Sequence, residues 1–223
     1  MKTTSAAATL LLLLLAGMGT AQATAWVVNN SNDLQTAIYR ANPGDTIYVK
    51  TGTYRENITI YKPLKLIGQN RENTIIQGLY RSEFLINVTS SDVHIEGFTI
   101  QGGHHAIHAS TGRGQYLSNL TVRDNKIIQN NAGILVSFPR HCRIENNLIA
   151  KNRAGITLWA VPGKPGIDNI IAFNNIAWQE WSSIDILFCL NTKVIGNTIS
   201  YNEGTEYYWS GLGLWCSNYT LVY

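Results

Sequence analysis

Apolar positions fall along this chain in short period-two bursts, with one exception near the start. Leu34, Ala37, Ile38 and Ala41 stand at i, i+3, i+4 and i+7, the stripe of an amphipathic helix. Ser31 or Asn32 can cap it, and Asn42-Pro-Gly-Asp45 stops it, so the pattern predicts a helix over residues 31–42. From Thr46 onward only strands and turns are expected. Ile47 and Val49 alternate with polar neighbours. Ile58-Thr-Ile60, Leu64-Lys-Leu66, Ile75-Ile76, Val93-His-Ile95 and Phe98-Thr-Ile100 follow, with turn residues between them. One four-residue unit then recurs as Ala106-Ile-His-Ala109, Gly133-Ile-Leu-Val136, Gly155-Ile-Thr-Leu158, Ser183-Ile-Asp-Ile186 and Gly211-Leu-Gly-Leu214. Its alternation predicts strands with the apolar groups turned inward.

A second phrase keeps step with the first. Asn125-Lys-Ile-Ile-Gln-Asn130 returns as Asn147-Leu-Ile-Ala-Lys-Asn152, as Asn175-Ile-Ala-Trp-Gln-Glu180 and as Asn197-Thr-Ile-Ser-Tyr-Asn202. Units of this length cannot bury an apolar face alone and must stack, which makes the chain a solenoid. Without intervening helices it should wind as a parallel β-helix, about three strands per coil and about 4.8 Å between coils. The helix at 31–42 is then the lid on the first coil, which would otherwise expose core and strand edge. Asn suits the corners because it tolerates the left-handed backbone region, and stacked Asn amides can bond coil to coil. Asn125, Asn147, Asn175 and Asn197 are therefore read as structural.

Five N-terminal segments carry a family resemblance. They are Asp33-Leu-Gln-Thr-Ala-Ile, Gly44-Asp-Thr-Ile-Tyr-Val, Gly52-Thr-Tyr-Arg-Glu-Asn-Ile, Leu64-Lys-Leu-Ile-Gly68 and Thr74-Ile-Ile-Gln-Gly78. They resemble the opening of right-handed parallel β-helix proteins of the pectin-lyase-like superfamily, nearest to its NosD-type, carbohydrate-binding and sugar-hydrolysis (CASH) domains. The resemblance covers residues 26–223 and implies an all-β, right-handed parallel β-helix. It speaks to fold more than activity, because such segments form the cap and first coils of many members. It also implies the association of NosD-like proteins with copper delivery.

Composition narrows the classes. Lys2 followed by an apolar run over residues 6–19, with small-residue sites at Ala21-Gln-Ala23 and Ala23-Thr-Ala25, reads as a secretory signal peptide over 1–25. The expected location is secreted, periplasmic or cell-surface, with no membrane span after signal removal. Charged residues make up 14% and the net charge is +3, too sparse and scattered for a nucleic-acid interface. Five Asn-x-Ser/Thr triplets, at Asn29, Asn57, Asn87, Asn119 and Asn218, have the form of glycosylation acceptors. The C-terminal residues Cys216-Ser-Asn-Tyr-Thr-Leu-Val-Tyr223 parallel Cys189-Leu-Asn-Thr-Lys-Val-Ile-Gly, with the next corner Asn absent. This predicts an uncapped end, continued by further coils or covered by another chain. Cys189 and Cys216 fall at near-equivalent positions, so a disulfide and a buried thiol pair are both open. Cys142 is expected apart from them and free.

Candidate chemistry sits where the coils lengthen. Insertions at Thr111-Gly-Arg-Gly-Gln115 and Val161-Pro-Gly-Lys-Pro-Gly166 should emerge on one edge as two ridges, with Phe138-Pro-Arg-His141 between them. Arg113, Arg140, His141, Lys164 and Asp168 would line the trough, a candidate polysaccharide groove. Trp159, Leu187 and Trp215 should stack as an exposed ribbon suited to sugar rings, or be covered by another segment. Trp178 and Trp181, in a turn, could join either arrangement. Glu96 and Asp124 would lie on adjacent coils about 5 Å apart, the spacing of a retaining glycosidase pair. They could equally bind calcium; no other cofactor is expected. His104, His105 and His108 look like metal ligands, but i and i+4 along a strand stand about 13 Å apart. No metal site is assigned. Signatures of polygalacturonases, pectin methylesterases and mannuronan epimerases are missing. The leading expectation is a secreted or surface module that binds carbohydrate. Polysaccharide lyase or hydrolase activity is the alternative, with an envelope structural repeat or copper-assembly accessory the third.

Overall fold

The computed structural model describes residues 23–29, 33–79, 83–112, 114–203, 211–218 and 221–222. Their strands form four sheets of nine, seven, seven and four members, here A to D, and every strand pairs with its neighbours in parallel. One coil shows the path. Thr121–Arg123 lies in sheet A, Lys126–Ile128 in B, Ala132–Ser137 in C and Pro139–Arg140 in D, before Arg143–Glu145 returns to A. The solenoid has about seven turns and is right-handed, the hand that twisted strands impose on parallel crossovers. Sheet D departs from the expected three strands per coil. Its strands are two residues long, too short for alternation to show in the sequence.

Like side chains sit above like side chains. In sheet A the inner column runs Ile47, Leu66, Ile95, Val122, Ile144, Ile171, Val194. In sheet B it runs Tyr54, Ile76, Ile100, Ile127, Ile149, Ile176, Ile199. In sheet C, Ile86, Ile107, Ile134, Ile156 and Ile184 stack in register, so the recurring unit does place equivalent residues side by side. All of these but Ile199 are buried, and each such burial contributes about 1.5–3 kcal/mol relative to exposure.

The lid is helix α1 (Leu34–Arg40), shorter than the 31–42 predicted. Leu34, Ala37 and Ile38 face the first coil. Residues 31 and 32 lie outside the described residues. The N-cap position is Asp33, whose side chain makes no cap bond. Glu56, from the coil below, does that work: its two carboxylate oxygens accept from the Leu34 and Gln35 N–H groups at 3.1 and 3.2 Å. At the other end Lys62 Nζ donates to the carbonyls of Tyr39 and Ala41. Asp45 ties the lid to the first strand by accepting from Thr24 N–H at 2.6 Å, Asn42 N–H at 2.8 Å and the Trp26 indole at 2.9 Å.

At the corners the backbone turns through the left-handed region. Asp124 and Asn146 have φ of 53° and 55°, and each is followed by a buried Asn. Asn125 donates its backbone N–H and side-chain Nδ2 to Asn147 Oδ1, Asn147 to Asn174, and Asn174 to Asn197. The third member is Asn174, not the predicted Asn175, which is an exposed strand residue paired with Leu148 and Thr198. The insertion before it lengthens the step from Asn147 to 27 residues, one short of the step to Asn175.

The same slip corrects the cysteines. Cys189 N–H bonds Ser217 Oγ, while Cys216 is a left-handed corner residue beside Phe188. Cys189 points inward and is buried; Cys216 is exposed. All three cysteines are free thiols, and Cys142 is buried as Cys189 is. Burial pushes the Cys142 thiol up to about 11 and that of Cys189 to about 12.

Candidate functional site

The loop over 161–166 decides the shape of the sheet D flank. Lys164 N–H bonds Val161 O at 3.1 Å, closing a tight turn through Gly163 at φ 80°. That turn swings Lys164 back onto the aromatic surface beneath it. Its Nζ lies 4.9 Å from the Tyr116 ring centre and 5.6 Å from that of Phe138. Arg140, on a sheet D strand, stands over the same Tyr116 ring at 5.7 Å. Phe138 meets Trp159 edge to face at 5.4 Å. The two insertions therefore do not stand apart as ridges around an open trough. Phe138 and the Lys164 stem occupy the space between, and the result is one continuous patch of rings and cations. Among the described residues no carboxylate lies within ion-pair distance of Arg140 or Lys164.

The other predicted ligand residues divide around this patch. Arg113 lies outside the described residues. His141 and Asp168 belong to the next corner, in a left-handed column with Asp92, Asn119 and Asn191. His141 Nδ1 is 3.7 Å from Asp168 Oδ2, and Asn191 Nδ2 donates to Asp168 Oδ1. They line a shallow hollow of about 280 Å³ with Lys193. Trp159, Leu187 and Trp215 do stack in register on sheet C, with Trp159 39% and Trp215 48% exposed. Trp215 also bonds Asp185; burial raises the Asp185 carboxyl, and the bonds from Ser182 and Trp215 oppose that rise.

Glu96 and Asp124 are not equivalent in the coil. The residue opposite Glu96 is Arg123, and the next in line is Glu145. Asp124 is the corner residue after it. Arg123 Nε contacts Glu96 at 2.9 Å and Asp124 at 3.6 Å, so a guanidinium already sits between the carboxylates where a cation would bind. His94 adds a second contact to Glu96 at 2.7 Å. Burial raises the Glu96 carboxyl, but the hydrogen bonds from Arg123 and His94 outweigh it, and the net position is below the usual glutamate range. A general acid needs the opposite shift.

His105 and His108 are half-buried on an interior strand of sheet C, with His104 exposed just before it. His104 and His105 Nδ1 atoms are 3.2 Å apart, and His104 Nε2 meets Asn131 at 3.0 Å. The His108 ring stacks on Phe84 at 4.2 Å, with its Nδ1 on Asn87. Burial lowers both His105 and His108, which favours the neutral imidazole. Beside them opens a hollow of about 640 Å³, lined by Leu79, Glu83, Gly102, Gly103, His104, Asn131 and Arg153. Arg153 lies 3.8 Å above the Trp181 ring and pairs with Glu180.

Of the exposed aromatics at the corners flanking sheet B, sequence reasoning singled out Trp178 as a turn residue but missed Phe173 and Tyr201. Phe173, Trp178 and Tyr201 all have φ between 52° and 60° and are 61%, 55% and 72% exposed. The Trp178 and Tyr201 rings are stacked, with centres 4.7 Å apart and planes 8° apart. A left-handed backbone leaves no trace in hydropathy, so only their place before Asn174, Gln179 and Asn202 could have signalled them.

Comparison with known proteins follows the fold. The family model described as "Periplasmic copper-binding protein (NosD)" matches residues 28–220. A cell surface glycoprotein of Methanothermus fervidus is 32% identical over 81 residues, 36% of this chain and 13% of that protein. Among solved structures, the alginate lyase from Paenibacillus sp. str. FPU-7 aligns with a TM-score of 0.67 at 18% identity, covering 78% of this chain and 65% of that one. Pectate lyase Pel9A aligns at 0.61 and 17% identity, covering 84% and 57%. The chain thus spans less than two thirds of each of these proteins, and at these identities the two lyases share its fold.

Proposed function

We propose that this chain, which belongs to the NosD family, is an exported or surface-exposed β-helix that binds acidic polysaccharide on its sheet D flank. The observation that carries this reading is the pair of cations over Tyr116, without an ion-paired carboxylate among the described residues, beside the exposed Trp159. Flat rings take the faces of sugars, and cations free of protein carboxylates take the carboxylates of uronic acids. A cell-surface relative supports the location, and an alginate lyase and a pectate lyase on the same fold support a polyuronate as the polymer. No helix among the described residues is long and apolar enough to cross a membrane. Affinity electrophoresis in polygalacturonate or alginate tests it. Replacing Arg140 and Lys164 together with Ala should weaken retardation at least tenfold, and salt should weaken that of the wild type. Unchanged retardation in the double variant would overturn the reading.

The family description names copper, and the described residues do not fit a copper site. Copper takes convergent imidazole, thiolate or thioether donors. His104 and His105 are engaged with each other, while His108 faces Phe84 and Asn87. The two buried cysteines are held as thiols, and Met1 and Met18 lie outside the described residues. Among the described residues no three His, Cys, Asp or Glu converge on one point. Arg123 bridges the Glu96 and Asp124 carboxylates, and the lowered Glu96 speaks against a general-acid role for it.

A further inference from the structure

We infer that the outer face of sheet B, between the corners carrying Phe173 and Trp178, is a second binding strip, for a neutral polysaccharide. The coil path runs A, B, C, D, so this strip lies across the coil from the Arg140 and Lys164 patch and is independent of it.

Among the described residues, five with aromatic rings occupy left-handed corners: Phe138, Phe173, Trp178, Phe188 and Tyr201. That region is unfavourable for a bulky side chain and cheap for Asn or Gly. Phe138 and Phe188 gain packing in return, since Phe138 is 9% exposed and Phe188 packs on the core. Phe173, Trp178 and Tyr201 gain little burial. The chain places these three rings in solvent at a conformational cost, and an observed outlier of that kind points to use.

Their arrangement is specific. Phe173 and Trp178 flank the same three-residue strand, Asn175–Ala177. Tyr201 extends the Trp178 ring into the next coil by stacking on it. At the opposite corner the Phe173 ring lies down over Gly196, where a Cβ would come within 2.7 Å of it. Between these rims the exposed side chains are Asn175 and Thr198, with Ser200 half-buried. Among the described residues the strip carries amides and hydroxyls between rings and no ionisable group but the Tyr201 phenol. The nearest charge in the corner column is Lys151, one coil above Trp178. Rings at both rims with uncharged hydrogen-bonding groups between them match a neutral pyranose chain. A second copy of the protein fits poorly. The strip is about 16 Å wide and about 10 Å high at strand and coil spacings, far below the roughly 800 Å² per partner of a stable interface.

The test uses the full chain with hydroxyethylcellulose and galactomannan as probes, in affinity gels and by tryptophan fluorescence titration. Trp178→Asn with Tyr201→Asn removes both rings and keeps residues that accept the corner backbone, so the fold should be retained or strengthened. The wild type should be retarded by at least one probe, and the double variant should lose at least tenfold in affinity with unchanged circular dichroism. Arg140→Ala with Lys164→Ala should leave neutral-polymer binding intact. Three results would overturn the inference: no retardation on either probe, equal binding by the Asn variant, or a wild-type dimer in sedimentation that the Asn variant converts to monomer.

Discussion

The side chain of Asn147 makes four hydrogen bonds in a space closed to water. Its Oδ1 accepts from the backbone N–H and Nδ2 of Asn125 at 3.0 and 3.3 Å, and its Nδ2 donates to Val122 O and Asn174 Oδ1, both at 2.9 Å. Asn147→Ala strands the buried Asn125 N–H and takes one of the donors from the Val122 carbonyl. Each buried orphan costs about 1–3 kcal/mol, so a loss on the order of 3 kcal/mol is expected in urea unfolding. A loss below about 0.5 kcal/mol would mean that the amide column does not hold the coils. Gln179 gives the opposite case. It stands in the second amide column, and its buried Oε1 has no partner among the described residues. Gln179→Asn shortens the side chain to the length its column uses and should raise the unfolding midpoint. At this scale the sequence was legible to within one residue. Asn125, Asn147 and Asn197 were placed correctly, while the loop at 161–166 pushed the third member from the expected Asn175 to Asn174. Cys216 slipped by the same single step, which moved it from the inner wall to the outer.

The N-terminal lid is an element held by acids. Asp45 gathers the first strand and the end of α1. The N–H of Thr24 foremost, then the Trp26 indole and the N–H of Asn42, hold its carboxyl below the usual aspartate range. A depressed folded value fixes the sign. The contribution of Asp45 is fully present above the free aspartate value, about 3.9, and is lost as pH falls through the lower folded value. The wild-type Tm should therefore drop across that acid window. Asp45→Asn should start lower at pH 7 and fall less steeply, and parallel acid limbs would exclude Asp45 as the titrating tie. The amphipathic stripe made this helix readable, yet Glu56 as its cap was hidden, because it arrives from 22 residues away through the coil path. Sheet D was hidden for another reason, since alternation needs more than two residues to show.

Across the whole molecule, periodicity established the architecture, and the chemistry depended on what breaks it. The Ile columns follow directly from the recurring unit, so the β-helix and its core could be read before any coordinates. The proposed binding surfaces come from the exceptions: a turn that folds Lys164 onto Tyr116, and corners where rings replace Asn. The predicted residues Arg140, Lys164 and Trp159 came together, whereas Glu96 and Asp124 stand one residue out of register with Arg123 between their carboxylates. The parallel pairing between coils carries one more consequence. Inter-coil bonds and amide columns point along the solenoid axis, and neighbouring coils meet mainly through that one layer. Stretched between its ends, the molecule should unzip rung by rung, with no single cooperative rupture. Each event would free the 22 to 27 residues between equivalent inner positions such as Ile127, Ile149 and Ile176. That is about 80 Å of new contour length, visible in single-molecule pulling as a regular sawtooth.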